Sequence, residues 1–188
     1  MYKYTGIDLS KETFDASITT DKGVIIKKFS HNEEGFVKLL KLLPTDVQVV
    51  MEASGPYYNR LAFFLYEHQV RVSVVNPLVI RRFCQMRLVR TKTDRKDAAM
   101  IREYSITERP ALWQPDAPMI SKLKQLNGAL DLLEKQLTAS KNQLEAFKQM
   151  PDADQTVVKW LEENLYQNRK LLHKLEQEME QVARQHYE

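Results

Sequence analysis

The chain has 188 residues, 43% of them hydrophobic and 28% charged, with a formal net charge of +3. That length suits one α/β domain plus an appendage, and that balance excludes an intrinsically disordered chain. No apolar run reaches the length of a membrane span, MYKYTGIDLSKE lacks the apolar core of a signal peptide, and Cys84 has no second cysteine to pair with, so a reducing cytoplasm is expected.

Residues 2–9 read as a first strand, with Tyr2, Tyr4, Gly6 and Asp8 alternating against Lys3, Thr5, Ile7 and Leu9. Residues 13–20 form a second strand with Phe14, Ala16 and Ile18 on one face, and Asp21-Lys22-Gly23 turns the chain into a third at 24–30. Asn32 is a helix cap for 33–43, whose Phe36, Leu39, Leu40 and Leu43 make an apolar stripe. VQVVM at 47–51 is a short apolar strand ending at Glu52. A helix at 57–68, a strand at 70–75, and helices at 78–87 and 94–106 complete the region. A three-strand meander followed by αβ crossovers predicts a mixed five-stranded sheet with flanking helices, the element order of the ribonuclease H-like fold.

Composition changes after residue 108. RPALWQPDAP at 109–118 carries three prolines and serves as a linker between a domain at 1–108 and a helical segment at 119–188. In that segment Met119, Leu123, Leu126, Leu130, Leu133, Leu137, Ser140, Leu144 and Phe147 alternate steps of four and three. Val158, Leu161, Leu165, Asn168, Leu172, Leu175, Met179, Val182 and His186 do the same. Two heptad seams separated by Pro151 and the caps Asp152 and Asp154 predict an antiparallel coiled-coil hairpin pairing Phe147 with Val158. Ser140 then faces Leu165, and Leu137 faces Asn168. Trp113 and Trp160 are expected to pack at the boundary and the hairpin end, and Cys84 to be a small buried apolar residue.

The stretch TKTDRKDAAM at 91–100 sets Asp94 and Asp97 three residues apart among Arg81, Arg82, Arg87, Arg90, Lys92, Arg95, Lys96 and Arg102. Asp94 and Asp97 share a helix face near an N-terminus, where ionised carboxylates are favoured. Asp8 and Glu52 lie near the ends of strands that neighbour each other in a sheet of this order. Four converging carboxylates suit a pair of Mg²⁺ or Mn²⁺ ions about 4 Å apart, the arrangement that activates one oxygen and stabilises another in phosphodiester cleavage. The cations would then grip a nucleic-acid backbone. Plainer roles stand beside these. Asp8 suits a turn or cap, Asp94 a dipole-stabilised first turn, Asp97 a surface pair with Lys96 or Arg102, and the basic run a solvated face or an RNA or protein contact. Other chemistry has weaker support. The four histidines lack ligand spacing, no phosphate-binding glycine loop is present, and Ser54 lacks the glycine that precedes a nucleophile elbow.

GIDLSK at 6–11, MEASGPYYNRLAFFL at 51–65, VVNP at 74–77 and KTDRKDA at 92–98 together resemble the DEDD transposases of bacterial insertion sequences, the group that includes the Piv/MooV site-specific DNA invertases. The resemblance covers 1–108 in motif order. It implies a RuvC-like domain in which the Asp-Glu-Asp-Asp tetrad falls on Asp8, Glu52, Asp94 and Asp97. It also implies DNA as substrate, a structured bridge RNA as guide, a following coiled coil, and a C-terminal domain bearing a catalytic serine. Since the sequence stops at Glu188, the expectation is a chain without that last domain that does not complete recombination unaided. A Holliday-junction-resolvase-like nuclease and a non-catalytic nucleic-acid-binding, oligomerising module are the alternatives. A homo-oligomer through the heptads is expected, with off-seam Ile120 and Leu132 as remaining apolar surface.

Overall fold

The computed structural model describes residues 3–88 and 94–185, with Asp94 described in its backbone alone. Tyr2, Arg90, Lys92 and His186, each given a role above, lie outside the described residues, as does the side chain of Asp94.

The elements follow the expected order: β1 (Lys3–Leu9), β2 (Thr13–Thr20), β3 (Gly23–Ser30), α1 (Glu33–Leu40), β4 (Val47–Glu52), α2 (Tyr58–Glu67), β5 (Arg71–Val75), α3 (Pro77–Met86), α4 (Asp94–Glu108), α5 (Pro118–Lys148) and α6 (Gln155–Arg184). The strands form one mixed sheet in the order β3-β2-β1-β4-β5. The meander β1-β2-β3 is antiparallel, while β4 and β5 run parallel to β1. Parallel strands need crossovers, and α1 and α2 supply them. This is the ribonuclease H-like arrangement, as the element order predicts.

Each face of the sheet has its own core. Ile7, Phe14, Ile18, Val49 and Met51 pack beneath Phe36 and Leu39 of α1 and Leu61 and Leu65 of α2. On the other face Tyr4, Val50 and Val75 meet Ile80 of α3 and Ile101 of α4. Strands covered on both sides read as continuous apolar runs, which is why VQVVM shows no alternation. The polar residue in that run, Gln48, is only 4% exposed. Its Nε2 donates to Ser73 Oγ at 2.8 Å and to the Pro110 carbonyl at 2.9 Å, and Ser73 Oγ donates to the Ala111 carbonyl at 2.7 Å. With Trp113 N–H donating to the Val72 carbonyl at 2.7 Å, these bonds fasten residues 110–113 onto β5. Trp113 also packs on the first core and sets its ring edge-on to Tyr66, as expected of a packing residue.

Local signals fix the helix starts. Asn32 Oδ1 accepts from Gly35 N–H and Asn76 Oδ1 from Leu78 N–H, the latter with Pro77 in the first turn of α3. α1 ends at Leu40, short of the predicted 43, because the chain tightens into bonds from Leu42 and Leu43 back to Leu39.

The chain divides into two compact units, Met1–Pro115 and Asp116–Glu188. Within the second, α5 and α6 are antiparallel, tied by Lys148 to Glu162, Ser140 to Asn164 and Lys122 to Glu178. All three ties match the register that sets Phe147 against Val158. Every described seam residue is buried or half-buried, with Leu133, Leu144, Val158, Leu165 and Val182 deepest. Trp160 departs from expectation. It is 67% exposed, because two residues beyond Val158 the helix has turned it away from the seam. Cys84 is half-buried against the second core rather than enclosed.

Candidate active site

The site is built at the carboxyl ends of β1 and β4. The parallel ladder pairs Gly6 with Val50 and Ile7 with Met51, so the next residues, Asp8 and Glu52, stand side by side near the carboxyl ends of the two strands. Side chains in register share a face. Asp8 therefore follows Tyr4 and Gly6, and Glu52 follows Gln48 and Val50, onto the face covered by α3 and α4. Both carboxylates are half-buried. Ser54 Oγ donates to Glu52 Oε1 at 2.8 Å, a bond that orients the carboxylate.

Gly6 explains how α4 reaches the same place. A Cβ on Gly6 would lie 2.2 Å from Arg102 N and 2.3 Å from Ala98 O, so the helix backbone rests directly on β1. The helix direction follows from its other end, where Ile106 and Arg109 line a cavity with Lys3 and Tyr4 at the start of β1. α4 thus runs against β1, with Asp94 and Asp97 in its opening turns on the side of Asp8. Asp97 is half-buried one residue before Ala98. The topology brings Asp8, Glu52 and the start of α4 to one end of the sheet. Among the described residues, no group of three or more His, Cys, Asp and Glu is close enough to hold a metal ion. The donors offered are carboxylate oxygens, the type that Mg²⁺ and Mn²⁺ take.

One acid is absent from the sequence expectation. Asp15 stands directly opposite Asp8 across the β1–β2 ladder and is 3% exposed. Its Oδ2 lies 3.8 Å from Lys28 Nζ on β3. The available signal was the alternation of TFDASITT: with Phe14, Ala16 and Ile18 on one face, Asp15 and Ser17 occupy the other, beneath α4.

The expected basic cluster spreads over different surfaces. Arg81 and Arg82 are exposed on α3, with Arg82 Nη1 donating to Gln85 Oε1 at 3.1 Å. Arg87 reaches across to α4, its Nη2 3.7 Å from Glu103 Oε1 and its guanidinium 5.3 Å from the centre of the Phe83 ring. Arg95 and Lys96 are exposed between Asp94 and Asp97. Arg102 turns inward, donating from Nε to Ser17 Oγ at 3.1 Å, and lines the cavity at the opposite end of β1. Nearby Tyr104 sets its ring edge-on to Phe83, and burial, helped by Glu108, raises its hydroxyl pKa.

Comparison with known proteins shows the family of the chain. A family model described as a transposase, of the IS110-type DEDD class, matches residues 5–149. A pilin gene-inverting protein of Moraxella lacunata is 34% identical over 150 residues, covering 77% of this chain and 47% of its own length. A pilin gene-inverting protein of Moraxella bovis is 33% identical over the same span and coverage. The chain thus spans about half the length of these curated relatives. With the family match extending from β1 into α5, the chain belongs to the IS110-type DEDD transposase family.

Proposed function

We propose that residues 1–108 form the divalent-metal-dependent catalytic domain of a DNA transposase or site-specific recombinase. Asp8, Glu52, Asp94 and Asp97 are the assigned metal ligands. The observation that carries this is the β1–β4 ladder, whose last pair, Ile7 with Met51, leaves Asp8 and Glu52 next in line on one sheet face, with α4 laid over Gly6 so that its first turns lie at the same end. Two Mg²⁺ or Mn²⁺ ions, when bound, would supply charge stabilisation for cleaving a phosphodiester. The protein groups divide the remaining work. Ser54 orients Glu52, the α4 N-terminus favours ionised Asp94 and Asp97, and Arg95, Lys96, Arg81 and Arg82 offer exposed cations to phosphates. The relatives' description as gene-inverting proteins supports DNA strand exchange as the setting.

The finer assignments extend the family resemblance. A structured bridge RNA guides the recombination, 109–118 links the catalytic domain to the hairpin, and the coiled-coil hairpin at 119–188 joins copies of the chain. Leu132 and Ile120 are exposed off the seam, which supports that association.

Mn²⁺ titration of the purified chain tests the tetrad. Binding should be lost in both Asp8→Ala and Asp94→Ala, and unchanged binding in the two variants defeats the assignment. Retained nucleic-acid binding without any metal binding supports a non-catalytic module instead. Efficient cutting of junction DNA by this chain alone supports a resolvase-type nuclease.

A further inference from the structure

The geometry points to a second nucleic-acid site: the cavity at the amino end of β1 takes one nucleotide unit, its phosphate held by arginine and its base laid on the apolar wall. This goes beyond the proposed catalytic role, because it involves neither metal nor any of the four acids.

The cavity measures about 640 Å³, within the usual range for sites that enclose small organic ligands. Lys3, Arg71, Arg102 and Arg109 bring four cations to it, and no carboxylate is among its lining residues. Tyr4, Ile106, Pro110 and Leu112 give it apolar surface. Cations alone would describe a solvated face, and apolar walls alone a packing defect. Together they match a ligand with an anionic end and a flat, weakly polar body. Three of the four cations are arginines, whose planar forks pair with phosphate oxygens two at a time.

The walls are held in place before any ligand arrives. The Gln48 and Ser73 bonds to the carbonyls of Pro110 and Ala111 fix the loop side. Arg109 has a φ of 46° as α4 ends, and its N–H donates to the Ser105 carbonyl at 3.1 Å. Arg102 is anchored by Ser17, and Lys3 by an ion pair with the largely exposed Asp21. Five residues of extended strand separate Lys3 from Asp8, about 17 Å. In B-form geometry that is about five steps along a strand. A nucleotide seated here lies away from the carboxylates and serves to anchor a strand.

The test uses the full 188-residue chain in EDTA, with deoxyadenosine 5′-monophosphate as probe and amide chemical shifts as readout. Titration should perturb Tyr4, Ile106 and Leu112. Arg109→Asn keeps a residue tolerant of positive φ and should weaken binding about tenfold. Ile106→Glu places a carboxylate at a surface position of α4 and should abolish it, with circular dichroism unchanged. No binding, binding unaffected by both substitutions, or preferential binding of an oligoglutamate peptide overturns the proposal. Displacement of the probe by a single-stranded ten-nucleotide DNA identifies a strand as the source of the nucleotide. Persistence of the probe under that challenge identifies a free mononucleotide. Mn²⁺ binding measured on the same variants should match the unsubstituted chain, so failure here is distinguishable from failure of the tetrad.

Discussion

Asp8 and Asp15 face each other across the β1–β2 ladder, and Lys28 on the next strand approaches Asp15 at 3.8 Å. Two carboxylates directly opposed repel, so the lysine offsets a cost created by the site itself. Lys28 is half exposed, which limits its contribution through solvent screening. Lys28→Ala should destabilise the domain by about 1 kcal/mol. Combining it with Asp15→Asn should recover most of that loss. Urea unfolding of the two single variants and the double variant measures the coupling. Additive effects would remove the link between Lys28 and the carboxylate pair.

Gly6 is the point where strand geometry decides helix position. A methyl group there meets the backbone of Ala98 and Arg102, atoms that cannot swing aside as a side-chain tip does. Gly6→Ala should cost about 1–3 kcal/mol by overpacking. It should also lower Mn²⁺ affinity, because α4 carries Asp94 and Asp97 and must lift from β1. Urea unfolding with a parallel Mn²⁺ titration checks both. Stability lost with metal affinity intact would separate the α4 contact from the proposed metal site.

The placement of Asp8 and Glu52 was legible because both lie near the ends of apolar strands. The neighbour relation of those two strands follows from the element order. The approach of α4 was less legible, although a glycine inside a strand is a known sign of close backbone contact. Asp15 was hidden for a different reason. Alternation placed it opposite Phe14, but only the docking of α4 turns that face into interior. The basic run misled through length. α4 extends over 15 residues along β1, so Arg95 and Arg102 serve opposite ends of the sheet although both fall in one cluster of sequence. Trp160 shows the limit of residue type as a guide, since its heptad position outweighed its ring.

The Gln48–Ser73 pair carries a stability prediction. Both side chains are buried, and Ser73 Oγ stands between the Gln48 amide and the Ala111 carbonyl. Ser73→Ala deletes the central group and leaves partners without water to replace it. The expected loss is about 1–3 kcal/mol. Hydrogen exchange at Trp113, whose N–H bonds to Val72, should accelerate as 110–113 loosens. Unchanged exchange at Trp113 would show that this segment is held by packing alone.

Asp154 gives the hairpin an acid-sensitive start. Its Oδ1 accepts from Thr156 N–H at 2.7 Å and from Val157 N–H at 3.4 Å, capping α6. The backbone bond from Thr156 is the main cause that holds its pKa below 3.8, with a side-chain bond from Thr156 and the Val157 bond adding to it. A carboxylate with a lower pKa in the folded state binds fewer protons there than in the unfolded chain. Its stabilising effect is therefore complete above the unfolded value and fades as pH falls through the folded one. Asp154→Ala should lower the Tm of the hairpin by a few degrees at pH 7 and by progressively less below pH 3.8. Asp154→Asn, which keeps the cap without the charge, should lose less at pH 7 and converge with the parent chain in acid. Thermal unfolding followed by circular dichroism at neutral and acidic pH distinguishes these outcomes, and an Asp154→Ala deficit that stays constant with pH would rule out the carboxylate's charge as the source of the cap.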